Sequence, residues 1–276
     1  MRKYVKQWLS RVVRFVAREW ADEVGSRKPD SALGGETPIK IDVPDAIRQM
    51  ASRTSQLPLK HLFLWNHKWV ALLSERNRRN AASTYDFIDK VMPNKVRFDI
   101  DQFSVINDKK EDILELDGQI LDLGVWKGDS TRELARIFPE RVIHGFDSFE
   151  GLPEDWGHLG KGHFGEVKGE LPDVPANVQL FKGWFDQTLP AWRDEHNDRP
   201  ISLLRVDCDL YSSTKTTLAA LRPLIRPGTW IVFDELIGYR GWEAHEYKAF
   251  MEFIDETGFA YEYVAYGLTY TLVRIG

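Results

Sequence analysis

The sequence predicts an α/β protein with a mostly parallel, doubly wound sheet. Five apolar runs follow one another from Gln119 onward, namely ILDLGV, RVIHGFDS, VQLFKGW, ISLLRVDCD and GTWIVFDE. Runs of this kind are typical of parallel strands that are buried on both faces. Helical stretches or loops separate the runs, and this alternation is the pattern of βαβ units.

Helices are expected between these strands at about residues 130–138, 186–195, 213–225 and 243–257, the third ended by Pro227-Gly228. Two further apolar runs, YEYVAYG and LTYTLVRIG, close the sequence and are joined near Gly267-Leu268. Because this junction is short, the last two strands are predicted to pair antiparallel.

Composition narrows the class of protein. A chain of 276 residues with 43% hydrophobic content can bury a large core without disulfides. Its single cysteine, Cys208, agrees with a reducing cytoplasm and is expected to be a packed thiol. The net charge of −5 gives no electrostatic case for nucleic acid as a partner. No apolar stretch approaches the roughly 20 residues of a membrane-spanning helix, and no signal peptide is visible, so a cytoplasmic location is expected.

Residues 1–24 predict a basic amphipathic helix. Apolar residues recur at helical spacing from Val5 to Trp20, and the Lys and Arg residues lie mostly on the other face. The apolar stripe is expected to dock on the body of the protein or on a second subunit, which favours a homodimer or a higher homo-oligomer. Contact with an anionic membrane surface and a frayed tail are the alternatives.

Three further segments complete the predicted domain organisation. Residues 25–45 are rich in Gly, Pro, Ser and charge, which is typical of a linker. Residues 46–83 have mixed apolar periodicity and are expected to form a helical extension. Residues 84–276 then form the main domain, which carries the regular strand order.

Two carboxylate clusters lie where predicted strands end. Asp207 and Asp209 close one apolar run, and Asp234 and Glu235 close the next. Ligands of open α/β sheets bind beyond the carboxyl ends of the strands, so these acids are expected to share one site. Their mutual repulsion favours a divalent cation between them, with Mg²⁺ the first choice. The alternative is that Asp209 or Asp234 caps the helix that follows.

The first predicted strand runs into a glycine-containing turn, LDLGVWKGDSTREL. Gly124 and Gly128 bracket this turn, and Ser130 and Thr131 are expected to cap the next helix. The G-x-x-x-G spacing differs from the G-x-G-x-x-G pattern that holds a pyrophosphate, so a cofactor without phosphates is favoured over a dinucleotide. Asp147 ends the second strand, where an acid is suited to ribose hydroxyls. Together these features predict a nucleoside-type ligand.

The motifs ILDLGVWKGDST, HGFDSFEGLPEDW, FKGWFDQTLP and LLRVDCDLYSST, followed by the acid pair of VFDE, resemble those of the class I S-adenosylmethionine methyltransferases. More narrowly, the chain is similar to the macrocin O-methyltransferase family, whose members methylate sugar hydroxyls on macrolides and related small molecules. The resemblance covers about residues 84–276.

The resemblance implies a Rossmann-like, seven-stranded class I methyltransferase sheet with helices on both faces and an antiparallel last strand. It implies S-adenosyl-L-methionine as the methyl donor and a metal held by Asp207, Asp234 and Glu235. For Trp184 the resemblance implies a place beside the adenine ring, and ordinary core packing is the alternative. The cofactor-binding positions that it implies are Asp122, Gly124, Gly128, Ser130, Asp147, Ser148, Phe149, Gly183, Trp184 and Phe185.

The chemistry that follows is methyl transfer to a hydroxyl of a glycosyl or polyol acceptor. Such a hydroxyl is a poor nucleophile near neutral pH, so a metal that acidifies and orients it is useful, and so is a general base. The catalytic residues expected are Asp207 with a base, for which Asp209, His245, Glu246 and His163 are the candidates. Residues 150–176 form a long Gly-rich segment, here called the lid segment, that is expected to cover the substrate.

Two other functions are compatible with parts of the sequence. The chain could be a non-catalytic module that keeps the fold and binds a cofactor or a partner, in which case the acids are only structural. It could also be a nicotinamide-dependent oxidoreductase on a related sheet, which the glycine spacing disfavours.

Overall fold

The computed structural model describes residues 75–276, apart from residues 77, 93–94 and 158. The predicted N-terminal helix, the linker and most of the helical extension lie outside the described residues, so those segments stay predictions. A helix over residues 78–91 (α1) opens the described part. Within this part, no helix combines the length and the apolar character that a membrane crossing requires.

Strands and helices alternate as the apolar runs predict. The strands are β1 (Arg97–Phe98), β2 (Gln119–Leu123), β3 (Ile143–Asp147), β4 (Val178–Lys182), β5 (Ile201–Val206), β6 (Trp230–Phe233), β7 (Tyr261–Tyr266) and β8 (Thr271–Ile275). The remaining helices are α2 (Gln102–Asp108), α3 (Lys110–Leu114), α4 (Asp129–Ile137), α5 (Phe185–Glu195), α6 (Tyr211–Leu221) and α7 (Glu246–Thr257). Short 3₁₀ turns cover Gly165–Val167, Arg222–Leu224 and Trp242–Ala244.

The strands form one sheet in the order β1-β7-β8-β6-β5-β2-β3-β4. Strands β2 to β6 pair parallel, whereas β8 pairs antiparallel with both β6 and β7. The predicted doubly wound sheet with an antiparallel last strand is therefore confirmed. The strand count differs by one, because the two-residue β1 adds to the edge of β7.

Helices cover both faces of the sheet, because alternate side chains of each buried strand point to opposite sides. Leu121 and Leu204 face the side on which α5, α6 and α7 pack. Ile120 and Leu203 face the other side, where α2, α3 and α4 supply the apolar partners. Cys208 is buried as expected, with its Sγ 3.5 Å from Thr214 Oγ1.

Two helix starts differ from prediction. Ser130 and Thr131 were expected to cap α4, but the N-cap is Gly128, and both hydroxyls lie within the helix and donate to the Asp122 carboxylate. The last large helix, predicted from residue 243, begins at Glu246, because a 3₁₀ turn over Trp242–Ala244 precedes it. A buried carboxylate without hydrogen-bond donors costs more free energy than uncapped helix amides, because those amides can also bond water. The two hydroxyls therefore bond Asp122.

A buried histidine lies between β3 and α5. Trp192 Nε1–H donates to His144 Nδ1 at 3.1 Å, and the other ring nitrogen of His144 lies 3.2 Å from Gln119 Oε1. The ring is therefore neutral, because Nδ1 accepts and Nε2 donates. Burial, with smaller repulsion from His196 and Arg199, lowers the pKa of His144 to about 4.

Stability is predicted to fall in mild acid because of His144. The unfolded chain binds a proton at His144 below about pH 6.5, and the folded chain does so only below about pH 4. The free energy of unfolding is therefore unaffected by this group above pH 6.5 and declines as the pH falls between the two values. Wild type should lose about 2–3 kcal/mol more than His144→Gln between pH 7.5 and 4.5, measured by urea unfolding. Equal losses in the two proteins would contradict this role.

Candidate active site

The two carboxylate clusters meet at one edge of the sheet, as predicted. Strands β5 and β6 are parallel neighbours, and the Asp234 amide donates to the Val206 carbonyl at 2.9 Å. One carboxylate oxygen from each of Asp207, Asp234 and Glu235 lies within 4.8 Å of the others. These three acids and Asp209 are called the acidic rim below. The capping alternative is wrong for Asp209, because α6 has Leu210 at its N-cap without a side-chain hydrogen bond.

A buried arginine joins the acidic rim to the strand beside it. Arg205 Nη2 donates to Asp207 Oδ2 at 2.9 Å and to Asp234 Oδ1 at 2.7 Å. Its Nη1 donates to Asp122 Oδ1 at 3.0 Å, and its Nε donates to Gln102 Oε1 at 3.0 Å. The sequence reasoning missed this residue. The signal was present, because a charged side chain inside the apolar run ISLLRV requires buried counter-charges.

Burial and crowding disfavour charge on the acids. Burial first and then the neighbouring Asp234 raise the pKa values of Asp207 and Glu235 well above their ordinary range. Glu246 at the start of α7 is completely buried, its Oε2 accepts from the Glu235 amide at 3.3 Å, and burial raises its pKa also. One oxygen of Glu246 and one of Glu235 are buried without a hydrogen-bond partner. The site therefore carries more carboxylates than Arg205 can neutralise.

Asp209 occupies a distinct position on the rim. Its backbone φ is +62°, a conformation uncommon for residues other than glycine, and its side chain is buried. Burial raises the pKa of Asp209 to about 7, while a hydrogen bond with the Glu235 side chain acts in the opposite direction. Its strained backbone and its contact with Glu235 direct the carboxyl group toward the other acids.

The turn over residues 124–128, called the glycine turn, touches the acidic rim directly. Gly124 has a φ of +95°, and a Cβ placed there would lie 1.7 Å from the Asp207 carbonyl oxygen. Gly128 has a φ of +79°, and its Cβ would lie 3.2 Å from Pro172 of the lid segment. The structure thus places the glycine turn between the acidic rim and the lid segment.

The predicted residues at the end of β3 organise the loops around them. Asp147 Oδ2 accepts from the Trp126 amide at 2.7 Å, and Oδ1 accepts from the Phe149 amide at 2.6 Å. Burial raises the pKa of Asp147, and the backbone hydrogen bonds oppose the shift. Ser148 Oγ accepts from the Glu150 amide at 3.0 Å, and the Phe149 ring is buried.

The segment after β4 meets the same loops. The Gly183 amide donates to the Asp147 carbonyl at 2.9 Å, and Gly183 has a φ of +142°. Trp184 is half-buried at the N-cap of α5, and Phe185 packs against the core. The ends of β2, β3 and β4 therefore converge around Asp147, and the cofactor-binding positions implied by the resemblance gather there. Asp122 lies beneath them with its carboxylate bonded to Ser130, Thr131 and Arg205.

The candidate bases separate in space. His245 is half-buried at the start of α7, 6.0 Å from the Tyr239 ring, and burial lowers its pKa. His163 lies in the lid segment, with its ring 4.5 Å from the Phe164 ring. Asp209 and Glu246 are the two base candidates that lie among the acids of the rim.

The lid segment contacts both sides of the site. Trp156 packs against Tyr239 with ring centroids 5.8 Å apart, and Glu154 accepts from Ser212 Oγ at 2.5 Å. Farther along, Phe164 packs 5.5 Å from Trp126 of the glycine turn, and Glu166 pairs with Lys127 at 3.1 Å. The segment thus spans from the glycine turn to the loop after β6.

Comparison with known proteins agrees with this arrangement. Residues 121–236 match the family model described as a methyltransferase domain. Over these residues the chain is similar to methyltransferase domains. The resemblance that the motifs carry is therefore confirmed, and the matched range runs from β2 through the glycine turn to the acids after β6.

Several O-methyltransferases are similar to this chain over part of their length. The chain is 30% identical over 141 residues to the 8-demethyl-8-(2,3-dimethoxy-alpha-L-rhamnosyl)-tetracenomycin-C 4'-O-methyltransferase of Streptomyces olivaceus. The aligned part covers 43% of this chain and 52% of that protein. It is 28% identical over 154 residues to the demethyldecarbamoylnovobiocin O-methyltransferase of Streptomyces niveus, and this alignment covers 45% of this chain and 56% of that protein. The chain thus spans just over half the length of these relatives.

A third relative and one solved structure complete the comparison. The mycinamicin III 3''-O-methyltransferase of Micromonospora griseorubida is 27% identical over 158 residues, 48% of this chain and 60% of that protein. The crystal structure of CalS11, a calicheamicin methyltransferase, aligns with a TM-score of 0.52 at 20% identity and covers 89% of this chain and 98% of that one. This structural likeness supports the fold described above.

Replacing Gly124 with alanine should destabilise the protein strongly. Gly124→Ala adds both left-handed backbone strain and a collision with the Asp207 carbonyl, whereas Gly241→Ala adds only the strain, because Gly241 has a φ of +80° and open space around it. Chemical denaturation should show a loss of at least about 3 kcal/mol for Gly124→Ala against about 1 kcal/mol for the control. Similar losses for both variants would mean that the backbone at Asp207 moves away from an added Cβ at little cost.

Proposed function

We propose that the chain is an S-adenosyl-L-methionine-dependent O-methyltransferase that methylates a hydroxyl of a sugar, a glycosylated natural product or a related small molecule. The observation that carries the proposal is the contact between Gly124 and the Asp207 carbonyl. It makes the glycine turn, which is the donor side, and the acidic rim, which is the acceptor side, two walls of one site. The relatives that act on glycosylated natural products support the acceptor class.

The residues of the donor side suit a nucleoside sulfonium. Asp147 lies where β2, β3 and β4 end together, and its carboxylate is the group there that can accept from ribose hydroxyls. Gly124 and Gly183 keep the neighbouring backbone free of side chains, and half-buried Trp184 offers an aromatic face to an adenine ring. When bound, S-adenosyl-L-methionine supplies a methyl group that is already activated, so no covalent enzyme intermediate is needed.

The residues of the acceptor side suit a divalent cation such as Mg²⁺. Asp207, Asp234 and Glu235 present oxygen ligands within 4.8 Å of one another, and Glu235 has a buried oxygen without a hydrogen-bond partner. Burial first and then repulsion by Asp234 raise the pKa values of Asp207 and Glu235, and a bound cation would favour their charged forms. When bound, the cation would supply Lewis-acid activation of the acceptor hydroxyl.

Asp209 is the best placed of the base candidates. It lies on the rim, its backbone is held in a strained conformation, and its carboxyl group contacts Glu235. His245 lies beside Tyr239 and the lid segment, so we assign it to the wall of the acceptor site. In this arrangement Asp209 accepts the hydroxyl proton as the methyl group is transferred.

The lid segment completes the acceptor site. Trp156 and Tyr239 form an aromatic wall near the rim, and an aromatic face packs well against the C–H face of a sugar ring. Closure of this wall excludes water from the hydroxyl that must be activated. We further propose that the chain works in the cytoplasm as a homodimer or higher homo-oligomer, with the predicted N-terminal helix available for the second subunit or for a membrane surface.

The central test is transfer of label from tritiated methyl donor into candidate sugars and glycosides. Wild type should transfer label with Mg²⁺ and lose at least about 100-fold of its rate in EDTA, while still binding S-adenosylhomocysteine by calorimetry. Asp234→Asn should reproduce the EDTA effect, and Asp255→Asn, an exposed acid on α7, should not.

Each outcome of this test has a separate meaning. Full activity in EDTA would remove the cation from the proposal. Tight binding of S-adenosylhomocysteine without transfer to any acceptor would favour the non-catalytic module. A separate measurement of melting temperature with each ligand tests the oxidoreductase, because a rise with NAD but not with S-adenosylmethionine would favour it.

Truncating the aromatic wall should weaken acceptor use without affecting the donor. Trp156→Ala is expected to lower kcat/KM for the acceptor by about tenfold, roughly 1.4 kcal/mol, through a higher KM. Affinity for S-adenosylhomocysteine should stay within about twofold of wild type. Leu171→Ala, an exposed residue in the same segment, is the matched control. An unchanged acceptor KM in Trp156→Ala would place the acceptor elsewhere.

A further inference from the structure

We propose that Arg205 is a positioning residue for methyl transfer, which orients the carboxylates of the acidic rim and ties them to the donor side. The inference rests on the proposed function. Its basis is the set of four side chains that the buried guanidinium holds at once: Asp122, Asp207, Asp234 and Gln102. Only 3% of the Arg205 side chain is exposed, so these contacts replace solvent almost completely.

Arg205 donates to only one carboxylate oxygen of Asp207 and one of Asp234. It donates to Oδ2 of Asp207 and to Oδ1 of Asp234, which leaves the second oxygen of each carboxylate without a hydrogen bond to the guanidinium. Gln102 strengthens the arrangement, because its amide nitrogen donates to the same Asp234 oxygen. Each carboxylate is fixed at one end, and each of the two residues offers an oxygen within 4.8 Å of a Glu235 oxygen. Fixed direction is what a cation site and an in-line transfer both require.

Arg205 cannot neutralise all the carboxylates that it contacts. One guanidinium faces the three carboxylates of Asp122, Asp207 and Asp234, which leaves an excess of two negative charges when all three are ionised. Asp122 is completely buried and cannot be compensated by solvent. Arg205 therefore secures Asp122 and leaves the acids of the rim with negative charge that a divalent cation can neutralise.

The same side chain connects the rim to the donor side. Asp122 receives Arg205 on Oδ1 and the hydroxyls of Ser130 and Thr131 on Oδ2, at 3.0 and 2.6 Å. These hydroxyls belong to the first turn of α4, directly after the glycine turn. A shift of the guanidinium is thus transmitted both to the cation ligands and to the helix that holds the glycine turn.

A lysine cannot reproduce this geometry. The guanidinium is a planar fork whose three nitrogens each reach a different partner here, whereas an ammonium is a single point of charge on a flexible chain. Arg205→Lys therefore keeps the charge and loses the orientation. This separates a positioning role from simple neutralisation of buried acids.

The test compares Mn²⁺ binding, followed by electron paramagnetic resonance, in wild type, Arg205→Lys and Arg141→Lys. Arg141→Lys is the matched control, because it loses an arginine–aspartate pair, with Asp117 at 2.6 Å, that lies outside the site. Arg205→Lys should weaken Mn²⁺ binding at least tenfold and lower kcat for methyl transfer more than it raises the donor KM. Affinity for S-adenosylhomocysteine should fall about threefold. The control should match wild type in all three measurements.

A second variant covers the case in which Arg205→Lys does not fold, as judged by circular dichroism. Gln102→Ala removes the partner of Nε and a donor to Asp234 while keeping Arg205, and it should weaken Mn²⁺ binding about threefold. If wild type binds Mn²⁺ and the folded variants bind it equally well with unchanged kcat, the positioning role is wrong. If wild type itself binds no Mn²⁺, the cation of the proposed function is wrong, and the role of Arg205 toward it falls as well.

Discussion

The buried Arg205 guanidinium is the interaction on which the site depends. An ionised aspartate inside a parallel sheet is costly unless it is paired and fully hydrogen-bonded, and Asp122 in the central strand β2 meets this condition through Arg205, Ser130 and Thr131. Strand β5 supplies the arginine because β2 and β5 are neighbours in the sheet. The charge pair between adjacent strands then fixes what lies above it, from the first turn of α4 to the acids that follow β5 and β6.

Backbone geometry brings the two halves of the site together. The glycine turn can approach the Asp207 carbonyl because Gly124 lacks a side chain and adopts a positive φ. Asp147 holds Trp126 and Phe149 by their amides and so defines the loops on the donor side. Short contacts between strand ends therefore join the glycine turn to the acidic rim, and no long loop is needed to bring them together.

Much of this could be predicted from the sequence, because its signals are local or follow from sheet topology. The strands appear as apolar runs, and the meeting of Asp207 with Asp234 follows from neighbouring parallel strands. Arg205 was missed because its partners include residues far away in the chain, such as Asp122 of β2 and Gln102 of α2. Glu246 was named as a candidate base, but its hydrogen bond with the Glu235 amide depends on the fold of the loop between β6 and α7. Ser130 was misassigned as a cap for the same reason, since a local rule does not include a buried acceptor on another element.

The lid segment is held at two separate places. At one, Trp156 packs on Tyr239 of the loop after β6 and Glu154 bonds Ser212 of α6. At the other, Phe164 and Glu166 contact the glycine turn. A segment held at two places opens fully only when both sets of contacts are broken. Under the proposed function, departure of the methylated product and exchange of the spent donor would then share a single gate. Turnover would be paced by that gate, and the order in which the two products leave would depend on which anchor releases first.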